Sequence, residues 1–261
     1  MRNHGTCFEL VRLKPHDHIG WVFSGPDEFA NLASPFLAEG ASLNERLMYV
    51  APDPNPGSLA DLVDVISDRD ALQVASIAEV YGSSGVVDAS SQRATFVDVL
   101  REALAEGYSG IRVAADNSSL VLDPHRLEAW IAWELVADRF MSENPVTGLC
   151  AFDQDLVDVG TLRHLATLHP LCSAADPVPQ FRLFSDGDSL CIEGEIDTFA
   201  VDQVRLALRH LPAKTEVVVD MAKSTFLSEA APAALHRLSR SGVPVVFRGP
   251  SGAVEQLSET I

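Results

Sequence analysis

Four apolar runs in the first 160 residues are closely followed by polar residues able to bind or titrate: Ser24, Asp53, the pair Asp116-Asn117, and Asp153. If the runs are parallel strands, these residues gather at one carboxyl edge, where open α/β sheets hold their ligands. An edge of that composition suits a small polar or cationic ligand. The same residue types also punctuate loops and cap helices, which is their commoner use. Neither use requires catalysis. No nucleophile is paired with a base at a recognisable spacing, since the sequence has no G-x-S-x-G, no H-E-x-x-H and no C-x-x-C. Hydrolytic chemistry therefore has no support.

The elements that would position these residues follow from periodicity and from helix stops. Residues 19–23 form a strand; a helix then runs from Asp27 through Leu37 and ends at Glu39-Gly40. Residues 46–51 form a buried strand, followed by a helical pattern at Leu59, Leu62, Val63 and Ile66. A helix over 96–104 ends at Ala105-Glu106-Gly107, and a strand over 110–114 follows. The junctions Leu37-Ala38-Glu39-Gly40 and Leu104-Ala105-Glu106-Gly107 are near copies, two uses of one helix stop. A helix over 124–141 carries Trp130 and Trp133 beside Glu134, aromatic spacing that reads as packing, and residues 149–152 form a further strand. This alternation implies a parallel sheet covered on both faces.

Residues 171–179 break the periodicity and carry two prolines, which marks a linker. The expected division is a first domain over 1–172, a linker over 173–180 and a second domain over 181–261. The second domain opens with a hairpin signal, Asp186-Gly187-Asp188 between two strand-like runs. With 47% hydrophobic and 21% charged residues among 261, both parts should fold around cores. Nineteen basic residues against 37 acidic ones, a net charge of −18, make nucleic acid a poor partner. No apolar run has the length of a membrane span or the pattern of a signal peptide, so a cytoplasmic location is expected, with no membrane partner. The four cysteines lack paired spacing, which argues against a disulfide framework.

The segments around His18-Ile19, Pro35 to Gly40, Glu106 to Val113, Leu149 to Asp153 and His169-Pro170 fall in an order that resembles MEDS domains, the sensory domains of methanogen and methylotroph regulators. The resemblance covers about residues 15–171 and rests on the ensemble. It implies a derived RecA-type fold that has lost nucleotide chemistry and that senses small molecules. The loop Ser24-Gly25-Pro26-Asp27-Glu28-Phe29 agrees, because it lacks the lysine of a phosphate loop and carries two carboxylates. The resemblance also singles out His18, Cys150 and His169, which sit where the family has recurrent His, Cys and His residues. Imidazole and thiolate suit zinc. Against this, His18 begins its strand while Cys150 lies inside another, so the two need not converge. His18 and Cys150 are still counted among the ligand-binding candidates, and for all three a structural role is expected ahead of metal ligation, with no cofactor.

Beyond the linker, Gly194-Glu195-Ile196-Asp197, and Val219-Asp220 followed by Phe226, resemble the sulfate transporter and anti-sigma factor antagonist (STAS) domain. That resemblance implies a partner of the anti-sigma factor or serine-kinase type, docking near Glu195, Asp197, Ser228, Glu229 and Ala230. The phosphorylated hydroxyl of the family falls on Ala230, with Glu229 beside it and Ser228 placed to cap a helix. The acceptor is therefore missing. Taken together, the expectation is an α/β protein: a RecA-like parallel-sheet domain without a functional phosphate loop, then a small STAS-type α/β domain. Its expected function is non-catalytic regulation by a small ligand. The competing readings are an ATP-dependent switch and a constitutive scaffold.

Overall fold

Strands buried on both faces are mostly apolar rather than alternating, and the centre of the first sheet is built from such strands. The computed structural model describes residues 2–54, 59, 66, 69–174, 179–187, 189–198, 200–210, 217–229, 231 and 245–249. Within them lie β1 (Gly5–Cys7), β2 (His18–Phe23), α1 (Gly25–Ser42), β3 (Arg46–Ala51), β4 (Leu72–Ser76), α2 (Ile77–Tyr81), α3 (Ala89–Ala105) and β5 (Ile111–Asp116). Next come α4 (Pro124–Glu143), β6 (Val146–Asp153), α5 (Val159–Thr167) and β7 (Leu171–Ser173). The strands form a seven-stranded sheet in the order β1-β7-β2-β6-β5-β3-β4, parallel throughout. Every residue of β5 and β6 is buried.

The two faces of the sheet carry separate cores. Met48, Val50, Val113, Ala115, Cys150 and Phe152 face Trp130 and Trp133 of α4 and Leu162 and Leu165 of α5. Leu47, Tyr49, Ala114, Leu149 and Ala151 face Phe29, Phe36 and Leu37 of α1. Helix starts follow the capping rule. Asp88, Asp123 and Asp158 each accept backbone N–H groups from the first turns of α3, α4 and α5.

Three expectations from sequence need correction. The first helix does not stop at Glu39-Gly40 but continues to Ser42. A Cβ on Gly40 would meet the Arg112 side chain at 2.6 Å and Leu47 at 2.8 Å, so this glycine allows close packing over a buried arginine and is no helix stop. Gly107, its counterpart, does end α3 and takes φ +96°, which favours glycine. Second, Leu171–Ser173 is not linker but β7, paired with both β1 and β2. Third, β6 begins at Val146, three residues earlier than expected. The helical pattern expected around Leu62 and Val63 lies outside the described residues.

The second unit has a hairpin of β8 (Phe181–Asp186) and β9 (Ser189–Ile196), then α6 (Ala200–Arg209), β10 (Val217–Leu227) and β11 (Val245–Arg248). β8 and β9 pair antiparallel, while β9, β10 and β11 are parallel neighbours in the sheet order β11-β10-β9-β8. Its core of Leu183, Leu190, Ile192, Val201, Val204 and Val219 also takes in Ile131 and Leu135 of α4. Helix α4 thus serves two cores. Among the described residues no helix is long and apolar enough to cross a membrane.

Candidate functional site

Parallel register brings the site together. His18 pairs with Gly148 and Gly20 with Cys150, so all four lie on the sheet face covered by α4 and α5. The two glycines leave room that neighbouring side chains occupy: a Cβ on Gly20 would meet the His169 ring at 2.8 Å, and one on Gly148 the Met141 side chain at 2.7 Å. His169, just after α5, therefore lies against the backbone of β2, and its ring centroid is 4.4 Å from that of His18. Glu134, from the middle of α4, reaches down onto both.

The resulting cluster contains His18, Glu134, Cys150 and His169, all buried, with one ligand atom of each within 4.8 Å of the others. His18 Nε2 is 3.4 Å from Cys150 Sγ and 3.2 Å from Glu134 Oε2. His169 Nε2 is 3.6 Å from Glu134 Oε1. The other ring nitrogens are held from outside. Nδ1 of His169 donates to the Leu165 carbonyl at 2.8 Å, since a carbonyl can only accept. Nδ1 of His18 donates to Asp138 Oδ1 at 3.0 Å. Both imidazoles consequently present Nε2 to the cluster centre. Neither Glu134 oxygen nor His169 Nε2 has a hydrogen-bond partner. Buried polar groups are nearly always paired, so this concentration of unpaired atoms is unusual.

Electrostatics follow the geometry. Burial alone would raise the Glu134 carboxyl, but His169 and then His18 hold it well below the usual carboxylate range. Burial opposes charge on both histidines. Cys150, Asp138 and Glu134 nonetheless raise His18 well above the usual value, and Glu134 is the chief group that raises His169 to about 9. Asp138 has burial against it too, and the Arg2 guanidinium together with His18 lowers it. Its two oxygens are shared between units: Oδ1 accepts from His18 and Arg2, and Oδ2 accepts from the backbone N–H of Ser185 in β8. Arg2 closes the ring by donating to the Ser185 carbonyl at 2.7 Å.

Beside the cluster lies an apolar cavity lined by Tyr81, Phe96, Trp133, Phe140, Met141 and Cys150, among others. Trp130 and Trp133 are packing residues, in edge contact with Phe152 and stacked on Phe96. His18 and Cys150 do converge, contrary to the geometric expectation, because the register sets His18 opposite Gly148, two residues from Cys150 on the same face of the neighbouring strand. Glu134 and Asp138 were missed as site residues. Their signal was two carboxylates four residues apart on a helix whose apolar residues surround them on every side.

The strand-end residues do share one edge, beyond β2, β3, β5 and β6, as the alternation implied. Their side chains are largely engaged in local turns. Ser24 precedes α1 and donates to Asp155, Asp153 accepts from the N–H groups of Gly25 and Asp155, and Asp116 accepts from the N–H and hydroxyl of Ser118. Burial raises the Asp116 carboxyl, with Ser118 opposing. Asp53 is exposed. Asn117 is fully buried with both amide atoms unpaired.

In the second unit Asp197 accepts from Ala200 N–H and caps α6, and Glu195 is exposed on β9. The Ser228 side chain is buried; its N–H donates to Ile196 O and its hydroxyl has no partner. Glu229 is exposed, and Ala230 lies outside the described residues. All four cysteines are free thiols.

A family model described as MEDS, MEthanogen/methylotroph, DcmR Sensory domain, matches residues 17–170, a span that begins one residue before His18 and ends one residue after His169. Neither a curated protein nor a solved structure matches the chain.

Proposed function

The chain belongs to the MEDS family of sensory domains, which gives it a regulatory sensing role, and from that premise we propose a non-catalytic sensor whose responsive centre is the buried His18–Glu134–Cys150–His169 cluster. The observation that carries this reading is Asp138, bonded on one side to His18 and on the other to the Ser185 N–H of β8. A change in charge or position at His18 acts on a carboxylate that also fixes the second sheet. Such coupling needs only differential contacts in two states. The ligand we propose is a small, mainly apolar molecule, because the cavity that reaches Cys150 is lined by aromatic and aliphatic side chains.

A nucleotide switch on a RecA-like fold is the less favoured reading. The N-terminus of α1 would be the phosphate site, and carboxylates already occupy it: Glu28 accepts from Ser24 N–H and Asp153 from Gly25 N–H. Downstream, the STAS resemblance supports a docking module for an anti-sigma or serine-kinase partner, with Glu195 and Glu229 exposed to meet it. Ser228 is poorly placed as a phosphate acceptor because it is buried. The module would then dock without a phosphorylation cycle, leaving the first unit as the control.

The test is thermal unfolding and amide hydrogen exchange of the full chain with a panel of short-chain alcohols and ketones. The expected result is a raised Tm and altered exchange over 181–186, with the second effect lost in Asp138→Asn. A panel that moves neither quantity refutes the sensory centre, and micromolar ATP binding by calorimetry establishes the switch in its place.

A further inference from the structure

We propose that His18, Glu134, Cys150 and His169 bind one divalent transition-metal ion of the zinc type, through both Nε2 atoms, the Cys150 sulfur and a Glu134 oxygen. The proposal deepens the sensory reading, and rests on it for the role of the site but not for its evidence. Zinc bonds of about 2.0–2.2 Å to nitrogen or oxygen and about 2.3 Å to sulfur put neighbouring tetrahedral ligands roughly 3.3–3.7 Å apart. Three separations in the cluster are 3.2, 3.4 and 3.6 Å, the first and last to different oxygens of Glu134, and one ligand atom of each residue lies within 4.8 Å of the others, so small side-chain shifts reach that spacing.

Three further features belong to a metal centre rather than to an ordinary buried ion-pair network. Both imidazoles are oriented by hydrogen bonds from Nδ1, one to a carboxylate and one to a backbone carbonyl, so each ring, once neutral as ligation requires, turns its Nε2 lone pair inward. The inward atoms are then mostly acceptors facing acceptors. Glu134 Oε1 and Oε2 and His169 Nε2 lack partners although Glu134 and His169 are completely buried. A cation held by one Glu134 oxygen satisfies that oxygen and His169 Nε2 at once. Finally, one thiolate and one carboxylate balance the two charges of the ion, and the mixed nitrogen, sulfur and oxygen set suits zinc and its first-row neighbours rather than magnesium or calcium. The donors come from β2, α4, β6 and the segment after α5, so no close-spaced motif announces them in the sequence.

The proposal is tested by elemental analysis of the full chain purified without chelator, and by cobalt(II) uptake after chelator treatment. Roughly one equivalent of metal per chain is expected, together with a thiolate-to-cobalt charge-transfer absorption that disappears in Cys150→Ser. Asp138→Asn, which loosens a ligand without removing one, should weaken uptake by about 10- to 100-fold. Far-UV circular dichroism identifies any variant that has failed to fold, and Glu134→Gln then supplies a second ligand deletion with nearly unchanged volume. A folded wild-type chain that takes up neither zinc nor cobalt overturns the proposal, as does a cobalt spectrum indifferent to Cys150→Ser. Metal uptake without any response to the alcohol and ketone panel keeps the ion and removes the sensory reading; a response in a chain that binds no metal does the reverse.

Discussion

The first sheet has two polar regions, and they differ in how their polar atoms are satisfied. At the carboxyl edge, Asp116 accepts hydrogen bonds from Ser118, two positions on, and Asp153 from Asp155, two positions on, and from Gly25 at the start of α1, which the sheet brings alongside. Beneath α4, Glu134 and His169 are buried more completely yet leave three atoms unpaired. Apart from Asn117, whose amide is buried and unpaired, the polar residues at the edge are satisfied, whereas the unpaired atoms of Glu134 and His169 converge with groups from other distant segments and call for something else to satisfy them. Position at a strand end says less about function than what is left over once hydrogen bonds have been assigned.

Mutation can break this contrast, starting with the residue that links cluster to second sheet. Asp138→Ala removes the partner of Arg2, His18 and Ser185 N–H together and should cost about 3–5 kcal/mol, because buried cations are left unpaired. Urea unfolding measures it, and a loss below about 1 kcal/mol would show the network to be dispensable.

Acid provides the next largest effect through a histidine outside the cluster. His164 is buried with no partner for Nε2, and burial pushes it down to about 4 from 6.5. The unfolded chain therefore takes up the proton first. The stabilisation from keeping His164 neutral is whole above pH 6.5 and is lost as pH falls from there to about 4, a change of about 3 kcal/mol. Comparing wild type with His164→Leu across that window isolates this contribution, and identical slopes would rule it out.

Gly20→Ala sharpens the contrast from the backbone side. Its new methyl group would press on the His169 ring, at an expected cost of about 1–3 kcal/mol and with displacement of the ring visible in histidine NMR shifts. The smallest effects belong to the carboxyl edge. Asp153→Ala should lose about 1 kcal/mol, as for a helix cap, and Asp53→Ala less than about 0.5 kcal/mol. Should Asp53→Ala abolish a ligand-induced rise in Tm, the edge and not the cluster would be the ligand site.

How much of this was legible in the sequence follows from the range of the forces involved. The runs around Val22, Val50, Val113 and Phe152 announced their strands because double burial writes an apolar stretch. The three-residue strands at Thr6 and Cys172 are too short to carry a period, and pairing defines them, β1 with β7 and β7 also with β2. Glu134 was hidden because α4 is covered on two sides, so its apolar residues form no single stripe against which a buried carboxylate would stand out. The meeting of His18 with Cys150 depends on inter-strand register, which is fixed by tertiary pairing and not by spacing along the chain. Gly40 and Gly107 show the same limit: identical local strings, one answering to Arg112 far away and the other to its own turn.

The double duty of α4 has a practical consequence for anyone dividing the protein. Ending the chain near residue 174 would leave Ile131 and Leu135 as an uncovered oily ridge and would strip Asp138 of the Ser185 amide. The fragment would carry a complete seven-stranded sheet and still be sticky, prone to stack on its own copies through that ridge. The natural seam in the sequence is thus a poor place to cut.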